Sequence, residues 1–172
     1  FLALKISYIN AVSILCEATG ANVQEVANGM GLDERIGRRF LNAGIGFGGS
    51  CFPKDVRGLV GSMKAAGADA SVFEAVYEAN DKQKQWVISK MKNILGTKGA
   101  GRSVALWGLS FKPKTDDIRE APAIDFVQWL LDFGFSVRAF DPEASEHFRK
   151  LFPAVYYGSS PYDAVVDTEL LI

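Results

Sequence analysis

The residues best suited to chemistry lie in one short run. Gly44-Ile45-Gly46-Phe47-Gly48-Gly49-Ser50-Cys51 ends on a thiol and passes directly into Phe52-Pro53-Lys54-Asp55. Glycines have no side chain, so such a run lets a ligand approach the backbone closely. Pro53 suits the first turn of a helix, where its missing N–H costs nothing. A thiol at a helix N-terminus feels partial positive charge, and Lys54 adds a full one; both favour the nucleophilic thiolate. The N–H groups ahead of such a helix also suit phosphate. The run is not Ser- or Pro-rich as flexible linkers are. Asp55 stands four residues beyond Cys51, placed to hold a water or relay a proton.

The chain's other cysteine, Cys16, lies in an apolar stretch and reads as a structural thiol. The single histidine, His147, sits among Glu143, Glu146, Arg149 and Lys150 and reads as a surface residue, which disfavours a Cys/His hydrolase and a His-based metal site. A second candidate loop, Gly108-Leu109-Ser110-Phe111-Lys112-Pro113-Lys114-Thr115-Asp116-Asp117-Ile118-Arg119, lacks the Gly-x-Gly-x-x-Gly cradle for a dinucleotide but carries Lys112, Lys114 and Arg119. It follows an apolar segment that reads as a strand, and α/β folds bind ligands at strand carboxyl ends.

Composition sets the frame for these loops. The 172 residues are 48% apolar, enough for a packed core without metals or disulfides. A net charge of −1 offers no footprint for nucleic acid or an anionic membrane. Two cysteines in unlike settings argue for a reducing, cytoplasmic environment. Lys5, Asn10 and Glu17 interrupt the apolar opening, so no run reads as long enough to span a bilayer.

The elements that must position the loops follow from periodicity and stop signals. Helices are expected over 1–19, closed by Gly20; from a capping box at Asn22 and Glu25 to about Gly29; over 53–66; and from a capping box at Ser71 and Glu74 through Leu95. Gly96-Thr97-Lys98-Gly99-Ala100-Gly101 reads as a boundary. Beyond it, strands at 103–107, 135–140, 154–157 and from about Leu170 alternate with helices at 122–133, 143–150 and from Pro161. That alternation implies parallel β-α-β units. The expected fold is α/β: an all-helical domain over residues 1–96, followed by a partial Rossmann-like parallel-sheet domain over 101–172. The chain opens without Met in mid-helix and ends on a strand, so it reads as a fragment truncated at both ends.

Two motifs resemble those of one family. Gly46-Phe47-Gly48-Gly49-Ser50-Cys51-Phe52-Pro53-Lys54-Asp55 is similar to the catalytic-cysteine motif of the UDP-glucose/GDP-mannose dehydrogenase family, and Gly108 through Glu120 resembles its UDP-binding motif. The opening helix, Leu2 to Asn10, resembles the family's long core helix. The resemblance implies a four-electron oxidation of a nucleotide sugar, UDP-glucose to UDP-glucuronate, with NAD as oxidant and a thioester on Cys51. GDP-mannose and UDP-N-acetylmannosamine remain open as substrates. By the same resemblance Asp55 positions the hydrolytic water, and Lys54 and Arg119 contact the cofactor. Phe40, Leu41, Asn42, Ala43, Gly44 and Gly48 form the substrate loop, and Phe111 and Lys112 contact substrate. Arg35 reaches a neighbouring subunit's substrate, so a homodimer built on the helical domain is implied. The family's NAD-binding domain has no counterpart in these residues, so the fragment alone is expected to be inactive. The competing expectation is a non-catalytic module that binds nucleotide sugars or dimerises.

Overall fold

A computed structural model describes residues 1–172 and resolves two compact units, Phe1–Phe47 with Cys51–Val87, and Gly48–Ser50 with Ile88–Ile172. The sequence reading put a boundary at Gly96–Gly101; the compact units part between Val87 and Ile88.

Unit 1 is helical: α1 (Leu2–Thr19), α2 (Val23–Gly31), α3 (Phe52–Ala65) and most of α4 (Ser71–Leu95). Gly20 ends α1 in the left-handed conformation, φ 75°, which lets its neighbour's N–H reach back to the Cys16 carbonyl. Asn22 caps α2 by accepting from the Gln24 N–H at 2.9 Å. The start of α4 differs from the capping box expected at Ser71 and Glu74. Asp69 accepts from the Ser71 N–H and hydroxyl, and Glu74 pairs with Lys64 instead.

α1 is 18 residues long and apolar enough to cross a membrane by length and composition, which corrects the expectation that no run is. Two of its polar side chains bond inside the unit: Ser7 donates to the Val76 carbonyl, and Lys5 Nζ reaches the carbonyls of Ile36 and Gly37. One apolar cluster joins Ala3, Phe47 and Val76; another joins Ile9, Ala27 and Leu41. By contrast Leu4, Tyr8 and Leu15 remain exposed at 39, 50 and 62%.

Unit 2 is Rossmann-like. Strands β1 (Ser103–Trp107), β2 (Ser136–Phe140) and β3 (Tyr156–Tyr157) form a parallel sheet in that order, with Val104 opposite Val137 and Arg138 opposite Tyr156. The final strand expected near Leu170 appears as a single parallel bridge from Leu171 to Ala105, on the free side of β1. Helices α5 (Pro122–Asp132) and α7 (Pro161–Ala164) lie against the sheet, and α6 (Ser145–Leu151) precedes β3. Val104, Ala105 and Leu106 are all buried, as in a parallel sheet covered on both faces. The glycines of 96–101 serve packing as well as turning: a Cβ on Gly99 would lie 2.3 Å from the Phe135 nitrogen. Arg102 ties the segment down through the Leu95 carbonyl and Glu169.

Candidate functional site

In unit 1, Cys51 is the N-cap residue of α3, and its thiol is exposed. Its carbonyl accepts from the Asp55 N–H at 2.8 Å, which closes the first turn. Pro53 occupies that turn, buried, with its missing N–H on an orphan position. Lys54 and Asp55 pair at 3.0 Å with both side chains in solvent. The hydrogen bond and charge of Asp55, with a smaller contribution from Cys51, hold the Lys54 ammonium above its ordinary value. A pocket of about 270 Å³ beside Asp55 is lined by Phe1, Leu2, Phe52, Leu59 and Phe73.

The glycine loop of unit 1 is ordered by side chains. Phe40 stands in the left-handed region at φ 66°, where a Cβ is strained, and its ring meets Phe52 at 6.2 Å. Leu41 is a core residue, 1% exposed, and its carbonyl accepts from Arg38. Asn42 faces solvent, and Ala43 packs on the Ile9–Leu41 cluster. Both backbone groups of Gly44 are bonded, to Asn10 and Gln83, and both of Phe47 to Asn80. Arg35 is exposed and chelated by its neighbour Asp33, at 2.6 and 3.0 Å. That guanidinium pushes the Asp33 carboxyl below its ordinary value.

In unit 2, Gly48 and Gly49 run along the Phe111–Ala121 loop. Gly49 donates to the Arg119 carbonyl at 2.7 Å, and a Cβ on it would meet the Phe111 ring at 2.6 Å. The Phe111 N–H bonds the Asp117 carbonyl, and exposed Lys112 carries its ammonium 5.2 Å from the Phe111 ring centre. Arg119 grips Asp117 through two nitrogens at 2.9 and 2.7 Å. These bonds, with the Arg119 backbone N–H, lower the Asp117 carboxyl to about 2. Lys114 and Glu120 join Phe40 as non-glycine residues at positive φ, 63° and 50°. Lys114 and Glu120 lie in the segment Gly108 through Glu120, and Phe40 opens the expected substrate loop. His147 is partly exposed, 3.2 Å from the Asp116 carbonyl, on the rim of a pocket of about 460 Å³ that Arg119 and Lys150 also line.

Sequence reasoning did not single out Asp141. It follows β2, is 7% exposed, and accepts from four N–H groups: Leu109 at 2.7 Å, Ser110 at 3.3 Å, Glu143 and Ala144 at 2.8 Å. Burial pushes its carboxyl up, but the four donors outweigh that and hold it below its ordinary value. An acid directly after a β-strand, before Pro142, was the available signal. The carboxamides Asn10, Asn80 and Gln83 were also missed; a buried amide leaves no periodic mark on a helix.

The helical unit thus carries an exposed thiol at the start of α3, and the Rossmann-like unit a basic loop after its first strand. A UDP-glucose dehydrogenase from the archaeon Pyrobaculum islandicum superposes with a TM-score of 0.93 at 37% identity, covering 99% of this chain and 40% of that one. A GDP-mannose dehydrogenase from Pseudomonas aeruginosa matches with a TM-score of 0.68 at 28% identity, over 98% of this chain and 39% of that one. Residues 1–82 match the central domain of the UDP-glucose/GDP-mannose dehydrogenase family, and residues 105–172 its UDP binding domain. The chain belongs to that family. Bacillus subtilis UDP-glucose 6-dehydrogenase TuaD is 47% identical over 98% of this chain and 37% of its own length. The UDP-glucose 6-dehydrogenase of Rhizobium meliloti is 44% identical over 100% of this chain and 39% of its own length. The chain thus spans about two-fifths of the length of the relatives it matches.

Proposed function

We propose that the chain carries the nucleophile and the UDP-recognising parts of an NAD-dependent UDP-glucose 6-dehydrogenase, which converts UDP-glucose to UDP-glucuronate. The observation that carries this reading is Cys51, an exposed thiol heading α3 in a chain 47% identical to a protein of that name. The GDP-mannose enzyme is more distant, at 28% identity.

In the proposed reaction the C6 alcohol is first oxidised to an aldehyde. The Cys51 thiolate adds to the aldehyde carbon, and a second hydride leaves to give a thioester. Water held by Asp55 attacks the thioester carbonyl; the C–S bond breaks, the thiolate returns, and the water oxygen stays in the carboxylate. NAD, were it bound, would supply the oxidant for the two two-electron steps. The residues present do not form a cradle for that cofactor. The Leu109 and Ser110 N–H groups, which follow β1 where a pyrophosphate would sit, are taken by Asp141. Lys54 and Arg119 are therefore assigned only single cofactor contacts, and the 172-residue chain alone is expected to produce no NADH.

Residues 1–96 act in this reading as a dimerisation domain bearing the Cys loop, and 101–172 as the UDP-binding domain, in a cytoplasmic enzyme. Phe40 through Gly44 and Gly48 supply the substrate loop. Phe111 and Lys112 supply an aromatic face and a charge-assisted bond to phosphate. The exposed Leu4, Tyr8 and Leu15 face of α1 supports a homodimer, since a helix apolar on two sides needs cover on both. Arg35 then serves the partner's substrate after releasing Asp33. Calorimetric titration with UDP-glucose, GDP-mannose and UDP-N-acetylmannosamine tests the reading. UDP-glucose should bind best, and Lys112→Ala should weaken it by about tenfold, as for loss of one charged hydrogen bond. Preference for either rival sugar, or wild-type affinity in Lys112→Ala, refutes the assignment.

A further inference from the structure

The segment from Phe40 to Phe47 contains no helix or strand, yet side chains from two helices fix its backbone. Asn10 of α1 accepts from the Gly44 N–H at 2.8 Å, while Gln83 of α4 donates to the Gly44 carbonyl at 2.7 Å. Asn80 of α4 treats Phe47 in both ways: it accepts from the N–H at 2.7 Å and donates to the carbonyl at 3.0 Å. The three carboxamides are 1, 4 and 3% exposed for Asn10, Asn80 and Gln83. Burying three amides is unfavourable unless they are bonded, so their convergence on one irregular segment is a built arrangement.

Hydrogen-bond chemistry fixes how each amide points. Only an amide oxygen can meet the Gly44 N–H, and only an amide NH₂ can meet its carbonyl. The remaining atoms, Asn10 Nδ2 and Gln83 Oε1, are buried and make no bond within the chain. One is a donor and the other an acceptor. Gly46 completes the clamp. It sits at φ 115°, and a Cβ there would stand 3.1 Å from Asn80 Oδ1, so only glycine leaves that carboxamide undisturbed.

We infer that Asn10, Asn80 and Gln83 are positioning residues that hold the Phe40–Phe47 loop in the conformation that binds the nucleotide sugar. The inference rests on the substrate reading proposed above. The loop-facing amide atoms are consumed by Gly44 and Phe47, so these residues act through the loop rather than on the ligand.

The test uses the 172-residue chain, amide hydrogen exchange by NMR, and calorimetric titration with UDP-glucose. Asn10→Leu removes the acceptor of Gly44; Asn10→Asp keeps it. Exchange at Gly44 should rise about tenfold in Asn10→Leu, as for loss of one hydrogen bond, and return towards wild type in Asn10→Asp. UDP-glucose affinity should fall and recover in parallel. Asn80→Asp retains the Phe47 N–H bond and loses the one to its carbonyl, so it should weaken UDP-glucose while the Phe47 amide stays protected. That variant decides the matter if the leucine variant does not fold. Unchanged Gly44 exchange in Asn10→Leu overturns the clamp. Raised exchange with unchanged UDP-glucose affinity overturns the positioning role. Failure of the wild-type chain to bind UDP-glucose overturns the substrate reading itself, an outcome recognisable because Gly44 exchange would still respond to Asn10.

Discussion

Gly48→Ala is a substitution of one methyl group with a large expected effect. An added Cβ would lie 2.1 Å from the Glu120 carbonyl oxygen and 2.7 Å from its carbon, whereas ordinary contact begins near 3.4 Å. The oxygen would have to retreat by 3.4 − 2.1 = 1.3 Å. Backbone, not a flexible side chain, must give way, and Glu120 is already strained at φ 50° just ahead of α5. Overpacking of this kind costs about 1–3 kcal/mol, towards the upper end here. Loss of the neighbouring Gly49 N–H bond to Arg119 adds about 0.5–1.5 kcal/mol. The total of about 2.5–4.5 kcal/mol corresponds to a fall in melting temperature of roughly 5–18 °C for a chain of this size. Gly44→Ala is the control, because a Cβ there meets nothing within 4 Å and the backbone is not in the left-handed region. It should change stability by no more than about 0.5 kcal/mol. Thermal melts by circular dichroism compare the two, with amide exchange at Gly49 as a local readout. A Gly48→Ala protein that melts within about 1 °C of wild type and keeps Gly49 protected would refute the steric argument.

Iodoacetamide should label native Cys51 while buried Cys16, 5% exposed, reacts only after denaturation; equal native rates would count against the assigned environments. The Asp117 carboxyl should titrate near pH 2, and Arg119→Ala should return it towards 3.8. Because its folded-state value is depressed, the order it gives the loop is full above the unfolded value near 3.8 and lost as pH falls through about 2; carboxyl chemical shifts followed by NMR measure this. Light scattering at tens of micromolar should give twice the mass of the 18.7 kDa chain, and Tyr8→Glu should shift it towards the monomer. A monomeric wild type would remove the assigned role of the exposed α1 face.

Much of the fold was legible because its punctuation is local. Gly20, Gly67 and Gly134 follow helix ends at φ 75°, 71° and 80°, a backbone that glycine adopts without strain. Pro53 and Pro122 mark helix starts for an equally local reason. The glycine-rich loop ending at Cys51 was legible because residue type and spacing alone mark it. What stayed hidden depends on partners distant in sequence. Periodicity shows that α1 is apolar round most of its surface, not that Ala3, Ser7 and Asn10 face inward while Leu4 and Tyr8 face out. Asp141 reads as the start of a turn until the Leu109 and Ser110 amides are seen to point at it. The last strand is short, but its backbone bonds β1 from Glu169 to Ile172, through Ser103, Ala105 and Trp107.

The division of the backbone between the two compact units has a consequence for modular exchange. Gly48–Ser50 belongs with residues 88–172, although the chain on either side of it belongs to the helical unit. No single cut therefore yields two whole pieces: a segment beginning after α4 would leave the Glu120 carbonyl and the Phe111 ring without the glycines that cover them. Grafting the second unit from a relative would pair its 111–121 loop with a resident Gly-Gly-Ser stretch from another lineage. Shuffling within the family should thus be constrained at three residues that no linear domain map would flag, and a functional chimera must take those residues and the 111–121 loop from the same parent.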